Sequence, residues 1–172
     1  DTTGVLPGQI HKLVELVEQS GEIPTFMGIK FTDYNLFDFQ LCTQVGGNRK
    51  YNMLYGRDES FTAALRVGAD APVSSTVQYS RTLRDVLAAV RRGDDRAAQA
   101  AQLKNAQLCS TFGAYDGDVN VQKDIMSMTG LEVGPSRLPK RDLTTSEFAD
   151  LKKELTSQGL IDAPPQEQEV KI

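Results

Sequence analysis

Apolar side chains recur at helical spacing over residues 6–20, at Ile10, Leu13, Val14, Leu16 and Val17, which predicts an amphipathic helix. Pro7 suits its first turn and Gly21 its stop. Residues 26–32 are short and apolar, a strand pattern. Asp33 can cap a second helix that carries Leu36, Phe37, Phe39, Gln40 and Leu41 and ends at Gly46-Gly47. The pattern then predicts a strand over 50–56, a helix over 58–67 ending at Gly68, a strand over 71–77 and a helix over 81–92 stopped by Gly93. Strands alternating with helices across short connections predict parallel βαβ units. Beyond Gly93 no strand pattern follows. Residues 94–115 read as an Ala- and Gln-rich helix, and 118–129 as another, stopped at Gly130. Thr144 and Glu147 have capping-box spacing and open a last helix running to about Gln158. The tail "APPQEQEVKI" reads as solvated and loose. A parallel sheet of three strands is thin, because it needs cover on both faces and neighbours at its edges. The pattern therefore reads as the second part of a larger α/β fold.

One residue breaks the apolar stretch. Lys30 stands among Phe26, Met27, Ile29 and Phe31. By strand parity Met27, Ile29 and Phe31 share one face, suited to packing under helices, and Phe26, Gly28, Lys30 and Thr32 share the other. Lys30 and Thr32 then lie at the carboxyl end of the strand, where (β/α)8 barrels carry their active sites. A lysine pointing into a partly desolvated cavity would be supplied in its neutral, nucleophilic form, fit to attack a carbonyl and make a Schiff base. The alternative is a lysine whose stem snorkels to water.

Composition narrows the classes. The chain has 172 residues, enough for a domain with a real core, with 40% apolar and 24% charged residues. The net charge is −4 and the pI about 5.1. No basic block is present, which argues against a nucleic-acid partner. No apolar run approaches the ~18 residues of a membrane span. Cys42 and Cys109 lie far apart in helical patterns without metal-type spacing, and read as two buried reduced thiols of a cytoplasmic protein. The single histidine, His11, leaves no His-rich metal site. The first residue is Asp1 rather than Met, which raises the expectation of a processed product or a fragment.

Three linked motifs carry a resemblance: "GIKFTD" (Gly28 to Asp33), "LYGRDE" (Leu54 to Glu59) and "GADAPVSSTVQY" (Gly68 to Tyr79). With "GPSRLP" (Gly134 to Pro139) and the opening "DTTGV", they make the chain similar to the dihydrodipicolinate synthase/N-acetylneuraminate lyase family of class I, Schiff-base (β/α)8 barrels, and through "IPTFMGIKFTDYNLFDF" to its animal-type lyases. The resemblance covers nearly the whole chain. It implies the C-terminal part of a (β/α)8 TIM barrel: the last three strands within 1–93, a helical extension over 94–160 that packs on the barrel and joins subunits into a homotetramer, and a loose tail over 161–172.

The resemblance also implies an activity, cleavage of N-acetylneuraminate (sialic acid) to N-acetylmannosamine and pyruvate. Lys30 would form the Schiff base, with no cofactor and no metal. Thr32 would hold the sugar portion. Gly56 through its backbone, and Asp58 and Glu59 through their carboxylates, would bind sugar hydroxyls. Ser75 would contact the substrate. The alternative for Asp58 is an N-cap of the following helix, which is compatible with the binding role, and for Ser75 and Thr76 it is ordinary strand-end hydrogen bonding. The chain departs from the family in Ser74-Ser75-Thr76-Val77-Gln78, where Gly-Ser-Thr-Tyr-Asn is common. The carboxylate-binding turn and the proton-relaying tyrosine that the family implies would lie on earlier strands, since Tyr34, Tyr51, Tyr55 and Tyr79 do not match that tyrosine. Activity is therefore expected only with the N-terminal half supplied. Two other functions remain open: a related 2-keto-acid aldolase or dihydrodipicolinate synthase-like enzyme, and a non-catalytic oligomerising fragment. The partners expected are small molecules and further copies of the chain, with neither nucleic acid nor membrane.

Overall fold

The computed structural model describes residues 9–47, 49–115 and 119–161. Two compact units divide the chain, Asp1–Ser74 and Ser75–Ile172.

In the first unit, helix α1 (Ile10–Ser20) precedes strand β1 (Gly28–Phe31), helix α2 (Leu36–Cys42), strand β2 (Asn52–Tyr55), a 3-10 turn (Asp58–Ser60), helix α3 (Phe61–Arg66) and strand β3 (Ala71–Pro72). The strands pair in the order β1-β2-β3, all parallel. This is the βαβ arrangement that the alternating pattern predicts. The strand predicted over 71–77 is cut to Ala71–Pro72. Pro72 has no N–H for the ladder, and after the Val73 amide bonds the Tyr55 carbonyl at 2.9 Å the backbone leaves the sheet.

The helix starts are set by contacts that local sequence does not show. The first-turn amides of α1, at Ile10 and His11, donate to the carboxylate of Asp38, a buried residue of α2. The His11 ring meets the same carboxylate, so the single histidine is used in packing. Pro7 lies outside the described residues. Asp33 does not cap α2: Asn35 does, accepting from the Asp38 amide at 3.1 Å. The Asp33 carboxylate accepts instead from the Asn35 amide at 2.8 Å, one step earlier in the turn. Gly21, with φ +64°, ends α1 in a left-handed conformation that glycine adopts without strain.

Strand parity holds at the carboxyl end of β1 and fails before its start. Phe31 is buried and packs tilted against Phe39 of α2 at 5.1 Å between ring centroids, and Phe39 meets Tyr55 at 5.3 Å. Met27, expected on the same covered face, is 69% exposed, because it precedes the paired strand.

In the second unit, α4 (Thr82–Arg91), α5 (Asp95–Gly113), α6 (Val119–Met128) and α7 (Thr145–Ser157) follow one another. The apolar faces of α5, α6 and α7, with Tyr79 before α4 and Leu160 after α7, make one core from Tyr79, Leu108, Val121, Ile125, Met128, Leu151, Leu155 and Leu160. On α4, Leu83 and Val86 are buried and Leu87 and Val90 half-buried. The capping box forms as its spacing predicts. Thr144 Oγ1 accepts from the Glu147 amide, and the Glu147 carboxylate accepts from the Thr144 amide at 2.8 Å. Both cysteines are free thiols. Cys42 is buried, but Cys109 is only half-buried, against the expectation of two buried thiols. Among the described residues no helix is long and apolar enough to cross a membrane, and no group of three or more His, Cys, Asp or Glu could hold a metal ion.

Candidate active site

The site is built at the carboxyl ends of β1 and β2. Lys30 lies opposite Leu54, and Phe31 opposite Tyr55. The Gly56 amide donates to the Phe31 carbonyl at 2.8 Å and extends the ladder one step beyond β2. Two glycines permit this close pairing. At Gly28, with φ +148°, a β-carbon would collide with the Asn52 carbonyl. At Gly56 it would lie 2.9 Å from Lys30 Cε and against Thr32 Oγ1. Lys30, Thr32 and Gly56 therefore lie together at the carboxyl ends of β1 and β2.

Lys30 itself is exposed. The partly desolvated cavity expected around it is not formed by the described residues. The reason is geometric: α2 packs on the Phe31 side of β1, and by parity the lysine leaves the strand on the other side. Its neighbours are not a uniformly buried run, since Phe26 and Ile29 are half-buried and Met27 is exposed.

Asp58 and Glu59 follow Gly56 by two and three residues and begin the 3-10 turn. Arg57, not Asp58, occupies the N-cap position of that turn. Asp58 is 3% exposed. Glu59 is half-buried and accepts a hydrogen bond from the Tyr34 hydroxyl, which lies in the connection after β1. The Arg57 guanidinium stacks over the Tyr34 ring, 4.6 Å from its centroid. The hydrogen bond to Glu59 raises the Tyr34 phenol above its ordinary pKa, and burial adds to the rise. Tyr55 runs beneath this region. Its hydroxyl donates to the Asp33 carbonyl at 3.0 Å and lies 3.1 Å from Ser60 Oγ, so it ties the two strand-end connections together.

Ser75 is half-buried and opens the second unit. Its neighbour Thr76 is fully buried and accepts from Asn105 Nδ2 at 3.0 Å, and the same amide donates to Thr82 Oγ1 at 2.9 Å. Ser74, where the family commonly has glycine, buries a hydroxyl that has no hydrogen-bond partner among the described residues. Val77, where an aromatic is common, is 42% exposed. Sequence reasoning missed Tyr34, Arg57 and Asn105. Their contacts reach across about two dozen residues of chain, and no local spacing marks them.

Residues 7–158 match the dihydrodipicolinate synthetase family. The chain is 35% identical to the N-acetylneuraminate lyase of Xenopus tropicalis over 148 residues, covering 84% of this chain and 48% of that protein. It is 32% identical to the Mus musculus N-acetylneuraminate lyase over 145 residues, 83% of this chain and 45% of that one. The solved N-acetylneuraminate lyase of Proteus mirabilis superposes with a TM-score of 0.81 at 27% identity, over 91% of this chain and 52% of the other. The chain spans about half the length of the curated relatives it matches. By its sequence and by the fold of its described residues, the chain belongs to the dihydrodipicolinate synthetase family of (β/α)8 barrels.

Proposed function

We propose that this chain is the C-terminal part of a (β/α)8 barrel, its last three strands with the following helices. Completed by the N-terminal strands, that barrel is a class I aldolase cleaving N-acetylneuraminate to N-acetylmannosamine and pyruvate. The observation that carries this reading is the cluster of Lys30, Thr32 and Gly56 at the carboxyl ends of two adjacent parallel strands, in a chain with N-acetylneuraminate lyases among its relatives.

The chemistry follows from an amine at that place. Lys30 Nζ adds to the keto carbon of the open-chain sugar acid and water leaves, giving a protonated imine. The bond between the methylene beside the imine and the next, hydroxyl-bearing carbon then breaks. Its electron pair moves into the imine to give an enamine, and the hydroxyl loses its proton as it becomes the aldehyde of N-acetylmannosamine. Protonation of the enamine carbon and hydrolysis of the imine release pyruvate and the free amine. Thr32 holds the sugar portion, the Gly56 backbone and the Asp58 and Glu59 carboxylates accept from its hydroxyls, and Ser75 contacts the substrate. No metal or other cofactor enters this scheme, since the lysine supplies the electron sink covalently. The barrel assembles as a homotetramer in the cytoplasm and engages neither nucleic acid nor membrane.

A second reading is a non-catalytic, associating chain. It draws on the exposure of Lys30 and of the apolar Met27 and Phe37, 69% and 72% exposed. Borohydride reduction in the presence of pyruvate, followed by peptide mass spectrometry, separates the two. The aldolase reading expects an adduct confined to Lys30 and lost in Lys30→Ala. Absence of any adduct would show that this chain alone is not an aldolase.

A further inference from the structure

Of the pair assigned to the sugar hydroxyls, Asp58 is buried and Glu59 half-buried, and a partly exposed carboxylate has several rotamers and binds a polyol well only when held in one. Glu59 is held. The Tyr34 hydroxyl donates to Glu59 Oε1 across 25 residues of chain. Tyr34 is in turn held by Arg57, whose guanidinium lies 4.6 Å over its ring. Among the described residues Arg57 makes no ion pair with Glu59, although only Asp58 separates them. A guanidinium bridging the carboxylate would occupy both its oxygens. Placed on the ring instead, it leaves Oε2 available and braces the phenol that holds Oε1. Tyr34 is 58% exposed, so burial does not fix its ring and the stacking cation does.

We infer that Tyr34, braced by Arg57, is the positioning residue that sets the Glu59 carboxylate for the hydroxyls of a polyol substrate. The inference rests on the aldolase reading for the identity of that substrate. It adds a specificity element: the strand-end connections of β1 and β2 are cross-linked through side chains at the place where the sugar portion is to lie, while Lys30, which would take the keto acid, makes no hydrogen bond or ion pair with this cross-link among the described residues. The pair Tyr34–Arg57 would thus govern affinity for the polyhydroxylated end and not the capture of the keto group.

Two measurements on the full chain test this separately: equilibrium binding of N-acetylmannosamine, and borohydride trapping of pyruvate at Lys30. Tyr34→Phe keeps the ring under Arg57 and removes only the hydroxyl. Loss of one hydrogen bond to a charged group predicts that amino-sugar affinity relative to pyruvate trapping falls about tenfold. Arg57→Gln, which removes the stacking charge, should lower the same ratio by a smaller factor. An unchanged ratio in Tyr34→Phe overturns the inference. So does a wild-type chain that traps pyruvate but binds no N-acetylmannosamine, and in that case the aldolase reading stands. A chain that binds the amino sugar, loses that binding in Tyr34→Phe, and never traps pyruvate supports the positioning role while the aldolase reading fails.

Discussion

Gly56 shows how one missing side chain shapes the candidate site. A β-carbon there would press on Lys30 Cε and Thr32 Oγ1. Lys30 Cε can swing away, but Thr32 is β-branched and its Cβ would also lie 3.2 Å off, so Gly56→Ala should cost about 1–3 kcal/mol of stability. The displaced lysine should also trap pyruvate about tenfold more slowly, because small misplacements of a reacting group are costly in rate. Thermal melts and timed borohydride trapping on the same variant check both halves. Asp38 is a contrasting case, charged and buried for structure. Burial pushes its carboxyl up, but the His11 ring and the Ile10 and His11 amides together outweigh that, and its pKa lies below the ordinary value. A depressed carboxylate contributes stability that is full above its unfolded pKa and is lost as pH falls through the folded one. Acid titration of Asp38→Asn against the wild type, followed by circular dichroism, should therefore show the variant less stable near neutrality, with the gap closing below the ordinary Asp range.

Helix α7 stands on its capping box, and the box is electrostatic as well as local. Arg141 donates to both Glu147 oxygens, at 2.8 and 2.9 Å, and Thr144 donates through its amide and hydroxyl. The Arg141 bond above all, then the Thr144 bonds, lower the Glu147 pKa to about 2. The sign follows as for Asp38. The stabilisation is present above the ordinary Glu value and is lost as pH falls from there toward about 2. Thr144→Ala should remove about 1 kcal/mol at neutral pH, measured by denaturant unfolding. In this helix the local code and the observed structure agree, because all the capping partners lie within seven residues of one another. At α1 the first-turn amide of Ile10 is satisfied by Asp38, 28 residues away, a contact that local sequence does not mark.

Among the described residues, the first unit packs around Phe39 and Tyr55 and the second around Leu108, Ile125 and Leu155. Leu155, fully buried in the second, should cost about 2–5 kcal/mol on truncation to Ala in a denaturant titration. The alternation of strand and helix, the parallel sheet, the helical second half and the capping box were all legible in the chain, because each depends on periodicity or on contacts a few residues apart. So was the shared side of Lys30 and Thr32, through parity, while Gly56 joined them only through the family resemblance. Three features were decided only in three dimensions: the exposure of Lys30, the bond from the first-turn amide of α1 to Asp38, and the Arg57–Tyr34–Glu59 chain. Each depends on which face of an element is covered or on which distant side chain arrives beside it. Those are properties of packing, and the residue pattern along one segment does not contain them.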